Sequence, residues 1–148
     1  MDNFLNAKIL VIFSTALILP GLAKADQSNS IQNIPKKSLN WETTSEGVAF
    51  APLHGDRFKE AYMAMVKLQS GTISLPHVKT SNMFGVVISG TLVHRTMTDR
   101  QSEAPPLSKG SFYRIPKDLP HVSSCVSKEP CITFLYQDGK FDFIPVKQ

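Results

Sequence analysis

Most of the reactive chemistry in this sequence rests on four histidines and two cysteines. Cys125 and Cys131 flank Val-Ser-Lys-Glu-Pro, which reads as a turn between two strands. A disulfide across that turn is the expected use of the pair. A reactive or metal-binding thiol pair is the competing use, although the spacing is not that of a Cys-x-x-Cys redox motif. His77 follows Pro76, and His121 follows Pro120. A neutral imidazole there offers a nitrogen lone pair to a metal or a proton. His94 lies beside Arg95 in a strand-like run; an exposed position is expected, with pocket lining as the alternative. His54, in Leu-His-Gly-Asp, belongs to a surface turn. Ser123 and Ser124 follow His121, but no Gly-x-Ser-x-Gly elbow presents a nucleophile. No phosphate-binding glycine loop is present either.

These residues need a compartment and a scaffold. Lys8, the apolar run Ile9 to Leu19, the Pro20-Gly21 break and Ala23-Lys24-Ala25 follow one another in the order of a secretory signal. Residues 1–25 are therefore expected to be a signal peptide cleaved after Ala25. The run is well short of the ~18–20 apolar residues that span a bilayer. No stable membrane insertion is expected after cleavage, and no lipid-anchor cysteine follows the run. The expected location is the periplasm or the medium, where a disulfide persists. A short loop limits the stabilisation from such a bridge to about 2–3 kcal/mol. Removing Lys8, Lys24 and Asp2 from 16 basic and 12 acidic residues leaves a mature net charge of +3. That charge, without a dense basic run, excludes nucleic acid as the expected partner.

Residues 26–40 are polar and read as a flexible leader. Residues 41–148 read as one folded domain of short strands and turns. Strands are expected over Val48–Phe50, Ala61–Leu68, Gly71–Leu75, Phe84–Ile88, Thr91–Met97, Ser111–Ile115, His121–Val126, Cys131–Tyr136 and Phe141–Val146. Turns are expected at Pro52–Asp56, Ser89-Gly90, Pro116–Pro120 and Gln137–Lys140, with a loop over Thr98–Pro106. The continuous apolar run Phe84–Ile88 suggests a strand buried on both faces. No segment keeps a helical period. The fold class is all-β, a sandwich or barrel.

Two motifs then resemble those of the cupin superfamily. The first family pattern is Gly, five residues, His-x-His, three or four residues, Glu, six residues, Gly. Here Gly71, His77 and Gly90 hold that frame. The second is Gly, five residues, Pro-x-Gly, two residues, His, three residues, Asn. Gly110, Pro116 and His121 fall in register, with Asp118 at the glycine position and Cys125 at the asparagine position. The resemblance spans Trp41 to Pro145 and implies a small jelly-roll β-barrel. In the family, the His-x-His pair, the glutamate and the later histidine surround a divalent metal. Only His77 and His121 are ligands here; Lys79 replaces the second histidine and Met83 the glutamate. Lysine, when protonated, has no lone pair, and a thioether suits only soft ions. The resemblance leaves the cofactor open between a divalent metal and none, and leaves enzymatic activity open.

Three functions are consistent with these residues. The first is an exported cupin that binds a small, anionic molecule through His77, Lys79 and His121, with a degenerate His77/His121 metal site. In that case Lys79 faces inward; the alternative is a lysine that snorkels from the barrel mouth. The second is a metal-dependent dioxygenase or isomerase with a reduced ligand set. The third is a non-catalytic structural or interaction barrel, forming a homodimer.

Overall fold

The computed structural model describes residues 30–100 and 103–146. The expected signal peptide and the first four residues of the expected leader lie outside them. The chain divides into two compact units, Met1–Gln32 and Asn33–Gln148. The second unit opens on a largely exposed leader with a single 3₁₀ turn, Lys36–Ser38, and holds every strand among the described residues.

Those strands number ten: β1 Glu42–Thr43, β2 Ala49–His54, β3 Tyr62–Leu68, β4 His77–Val78, β5 Met83–Ser89, β6 Leu92–Thr96, β7 Phe112–Ile115, β8 His121–Cys125, β9 Cys131–Gln137 and β10 Ile144–Pro145. They form a six-stranded sheet, β1-β2-β3-β9-β5-β7, and a four-stranded sheet, β10-β4-β8-β6. Every pairing is antiparallel. This is a small all-β jelly roll.

Alternation along the strands builds the core, because successive side chains point to opposite faces. Tyr62, Ala64, Val66 and Leu68 are buried along β3, opposite Gln137, Leu135, Thr133 and Cys131 of β9. Gly85 and Val87 of β5 continue the same inner face. Phe50, Tyr113 and Ile115 of the same sheet, with Leu92 and Cys125 from the four-stranded sheet, complete the core.

Several sequence expectations change. β2 runs through Pro52–His54, where a turn was expected. β1 covers only Ala49 and Phe50, so Pro52 lies on a free edge that needs no backbone donor, and the strand bulges between Pro52 and His54. Gly71–Leu75 is not a strand. It runs against β8 as an isolated bridge, Ile73 to Ser124, with the Gly71 and Ser74 amides donating to the Cys125 and Ser123 carbonyls and the Ser74 hydroxyl taking the Ser123 amide at 3.0 Å. Only Ile144–Pro145 of the last expected strand is paired. Phe84–Ile88 is buried on one face only; Ile88 is exposed and Phe84 stacks on Tyr136 outside the core. Phe134 shares that outer face, since Leu135 beside it points inward.

Cys125 and Cys131 are joined in a disulfide, and both residues are fully buried. The bridge does not pin a hairpin. β8 and β9 belong to different sheets, so it fastens the four-stranded sheet to the six-stranded one. Gly90 packs against it at φ 77°; an added Cβ would sit 2.9 Å from the Cys131 sulfur.

Candidate functional site

The cupin-like motif frame has a backbone cause. Gly71, Gly90 and Gly110 all have positive φ, and so does Asp118, at 60°. Asp118 thus occupies the pattern's glycine position in the left-handed conformation that glycine favours and aspartate tolerates. Its amide bonds the Lys79 carbonyl at 2.7 Å, which ties the β7–β8 turn to the strand carrying the site.

His77 and His121 face each other across β4 and β8 as register partners. Their ring centroids are 4.2 Å apart. Each Nδ1 lies against the backbone carbonyl two residues earlier: His77 on Leu75 at 2.8 Å, His121 on Leu119 at 2.9 Å. A carbonyl only accepts, so each Nδ1 carries the hydrogen and donates it, and Nε2 keeps the lone pair. Burial holds His77 down to about 4, with His121 and Lys79 also opposing its charge. Burial likewise lowers His121. Both rings are neutral at pH 7. His121 Nε2 is buried and unpartnered, and His121 is not among the residues that line the cavity.

Lys79 does not snorkel out. It is 5 % exposed. Its ammonium donates to the Asp142 carbonyl and lies 4.0 Å from the Phe141 ring centroid and 5.3 Å from that of Phe143. The Asp142 carboxylate is occupied by the Thr80 amide and hydroxyl, the latter at 2.6 Å. Among the described residues no carboxylate comes within ion-pairing distance of Lys79. Burial lowers its pKa to about 8, only partly offset by Asp142 and Glu46.

Lys79, His77, His94 and Ser123 line one cavity together with Glu46, Thr133 and Gln137, and Val66, Leu68, Leu92, Leu135 and Phe143 are among its apolar walls. His94 is therefore a cavity residue and not an exposed strand histidine. It lies opposite Ser123 on β8, one inward-facing step from the His77–His121 pair. Parity along β6 and β8 was the signal that could have found it. Tyr113 reaches across Gly85, where any Cβ would meet its ring at 2.2 Å, and its hydroxyl bonds Thr133 at 2.9 Å. The cavity volume is ≈ 80 Å³. An engineered cavity that takes up benzene is ~150 Å³, so this one suits a ligand of a few carbon atoms.

A two-sheet antiparallel jelly roll with polar side chains reaching into a cavity between its sheets is the architecture of a cupin barrel, and this chain has the cupin fold. No family model and no curated protein matches the sequence. Solved structures do. KdgF from Halomonas sp. is 15% identical with a TM-score of 0.58, covering 72% of this chain and 94% of that one. An RmlC-like cupin from Shewanella frigidimarina is 14% identical with a TM-score of 0.57, covering 74% and 92%. The polyketide cyclase RemF from Streptomyces resistomycificus is 13% identical with a TM-score of 0.64, covering 80% and 87%. Identities this low establish the fold alone.

The donor set does not fit the metal of metal-dependent cupins. Two neutral imidazoles are supported as ligands usually are, each by a second-nitrogen bond to a carbonyl. Beside them, however, stand a buried ammonium and a thioether. Among the described residues no group of three His, Cys, Asp or Glu side chains converges to hold a cation. A hard divalent ion would meet a positive neighbour and no balancing carboxylate.

Proposed function

We propose that this protein is an exported cupin barrel that binds a small organic anion, a short-chain carboxylate, inside its cavity. The observation that carries the proposal is the buried Lys79 ammonium, which lines a largely apolar cavity with no carboxylate in ion-pairing contact; Glu46, the acidic residue of the same lining, acts on it only at longer range. An unpaired buried charge is costly, and an incoming carboxylate offsets that cost through charge-assisted hydrogen bonds. The ammonium spends one donor on the Asp142 carbonyl and lies against the Phe141 and Phe143 rings, which leaves its other donors for the ligand. His77 stands beside it with an Nε2 lone pair that accepts from a ligand O–H or N–H. The His77 ring is packed by His121, tilted against it at 4.2 Å, and by Phe143, whose ring stacks on it at 4.2 Å. The disulfide is compatible with the exported location.

The test is an NMR titration of mature protein with straight-chain carboxylates of two to five carbons. Saturable shifts confined to cavity residues, lost in Lys79→Met and retained in Lys67→Met, support the proposal. An unchanged affinity in Lys79→Met overturns it.

A further inference from the structure

Both sheets line the cavity. The four-stranded sheet contributes His77, His94 and Ser123 beside Leu92, and the six-stranded sheet is mostly hydrocarbon, Val66, Leu68 and Leu135, with Thr133 and Gln137 as its polar members. His94 Nδ1 and Ser123 Oγ are 2.9 Å apart. Among the described residues Ser123 Oγ has no second partner, and His94 Nε2 is buried with none. If Ser123 donates to Nδ1, the ring carries an Nε2–H with no acceptor. If Nδ1 donates to Ser123, Nε2 is a bare lone pair and the serine proton lacks an acceptor. Either tautomer leaves a hydrogen-bonding valence unfilled at a buried position, which native interiors seldom do. Tyr113 lies 4.4 Å from the imidazole, ring to ring, but its hydroxyl is committed to Thr133.

We infer that His94 and Ser123 form a second anchor in the cavity, which holds a hydroxyl group of the same ligand whose carboxylate meets Lys79. This inference rests on the carboxylate proposal and goes beyond it to a ligand class, short hydroxy acids. A hydroxyl both donates and accepts, so it completes either tautomer. A second carboxylate would be poorly placed beside a deeply buried neutral ring, because no cation stands there to balance it. The apolar wall opposite leaves the carbon chain between the two oxygens in contact with hydrocarbon.

The probes are butanoate and pentanoate, each with and without a terminal hydroxyl, titrated by NMR into wild type, His94→Phe, Ser123→Ala and Lys79→Met. Wild type should prefer at least one hydroxy acid over its parent by about tenfold. His94→Phe and Ser123→Ala should remove that preference, and the dispersion of each variant's amide spectrum shows that it folds. If His94→Phe fails to fold, Ser123→Ala decides alone. Equal wild-type affinity for hydroxy and parent acids overturns the second anchor and leaves the carboxylate proposal standing. So does a preference that survives in both variants. Failure of every acid to bind wild type overturns both.

Discussion

His77 and His121 are hydrogen-bonding twins: paired across β4 and β8 with rings 4.2 Å apart, each gives its Nδ1 hydrogen to the carbonyl two residues back. The same backbone geometry, a proline followed by a strand-initiating histidine, produces both. Two fixed lone pairs without a carboxylate partner make an incomplete metal site. Tag-free protein should therefore carry well under one equivalent of iron, manganese, nickel or zinc after reconstitution. Elemental analysis checks this, and one equivalent lost in both His77→Ala and His121→Ala would overturn it.

Acid should weaken the fold through these rings. His77 titrates near 4 when folded and His94 near 3, both because of burial, against ~6.5 unfolded. The unfolded chain binds more protons between those values, so stability falls as pH drops through 6.5 and the loss is complete only below the folded values. For His77 alone the loss is on the order of 3 kcal/mol. Denaturant midpoints from pH 7 to 4 should fall steeply in wild type and less steeply in His77→Phe, which keeps a ring against Phe143.

Lys79 works in the opposite pH range. Its folded pKa of about 8 lies below the ordinary lysine value of 10.5. The ammonium is thus a cost to the empty protein below pH 8 that disappears as pH rises toward 10.5. Stability should climb between pH 8 and 9.5, before the buried tyrosines, whose pKa values burial raises, reverse the trend. Lys79→Met should abolish the climb and be more stable than wild type at pH 7 by up to ~3 kcal/mol. Thermal melts across that range test both statements.

Asp118 carries a conformation better suited to glycine. Asp118→Gly should raise the melting temperature by a few degrees, about 1 kcal/mol, and Asp118→Val should lower it. Equal melting temperatures for all three would show that the turn adapts to any residue.

The disulfide joins two sheets, and Gly90 lies against it. Reduction should cost about 2–3 kcal/mol, read as a shift in the urea midpoint. Gly90→Ala should destabilise the oxidised protein more than Gly47→Ala, because both glycines have positive φ but only Gly90 has neighbours within contact distance. Gly85→Ala should also destabilise, by displacing Tyr113 from the cavity wall.

What could be read from residues alone was local. Positive-φ glycines, prolines at strand starts and period-2 alternation each leave a mark on the chain at the place they act, so the motif frame at Gly71, His77, Gly90, Gly110, Pro116 and His121 was legible. So was the pairing of two nearby cysteines. Strand membership at Pro52 and Gly71–Leu75 was not, because it turns on whether a partner strand lies alongside. The character of the site was decided in three dimensions as well. Lys79 is buried because Asp142 and the Phe141 and Phe143 rings, far along the chain from it, close over it. His94 enters the cavity because β6 pairs with β8 in the register that sets it opposite Ser123. Burial, counter-ions and orphaned hydrogen-bond valences are properties of such non-local contacts, and it is they that set a buried lysine and two imidazoles on the wall of one cavity.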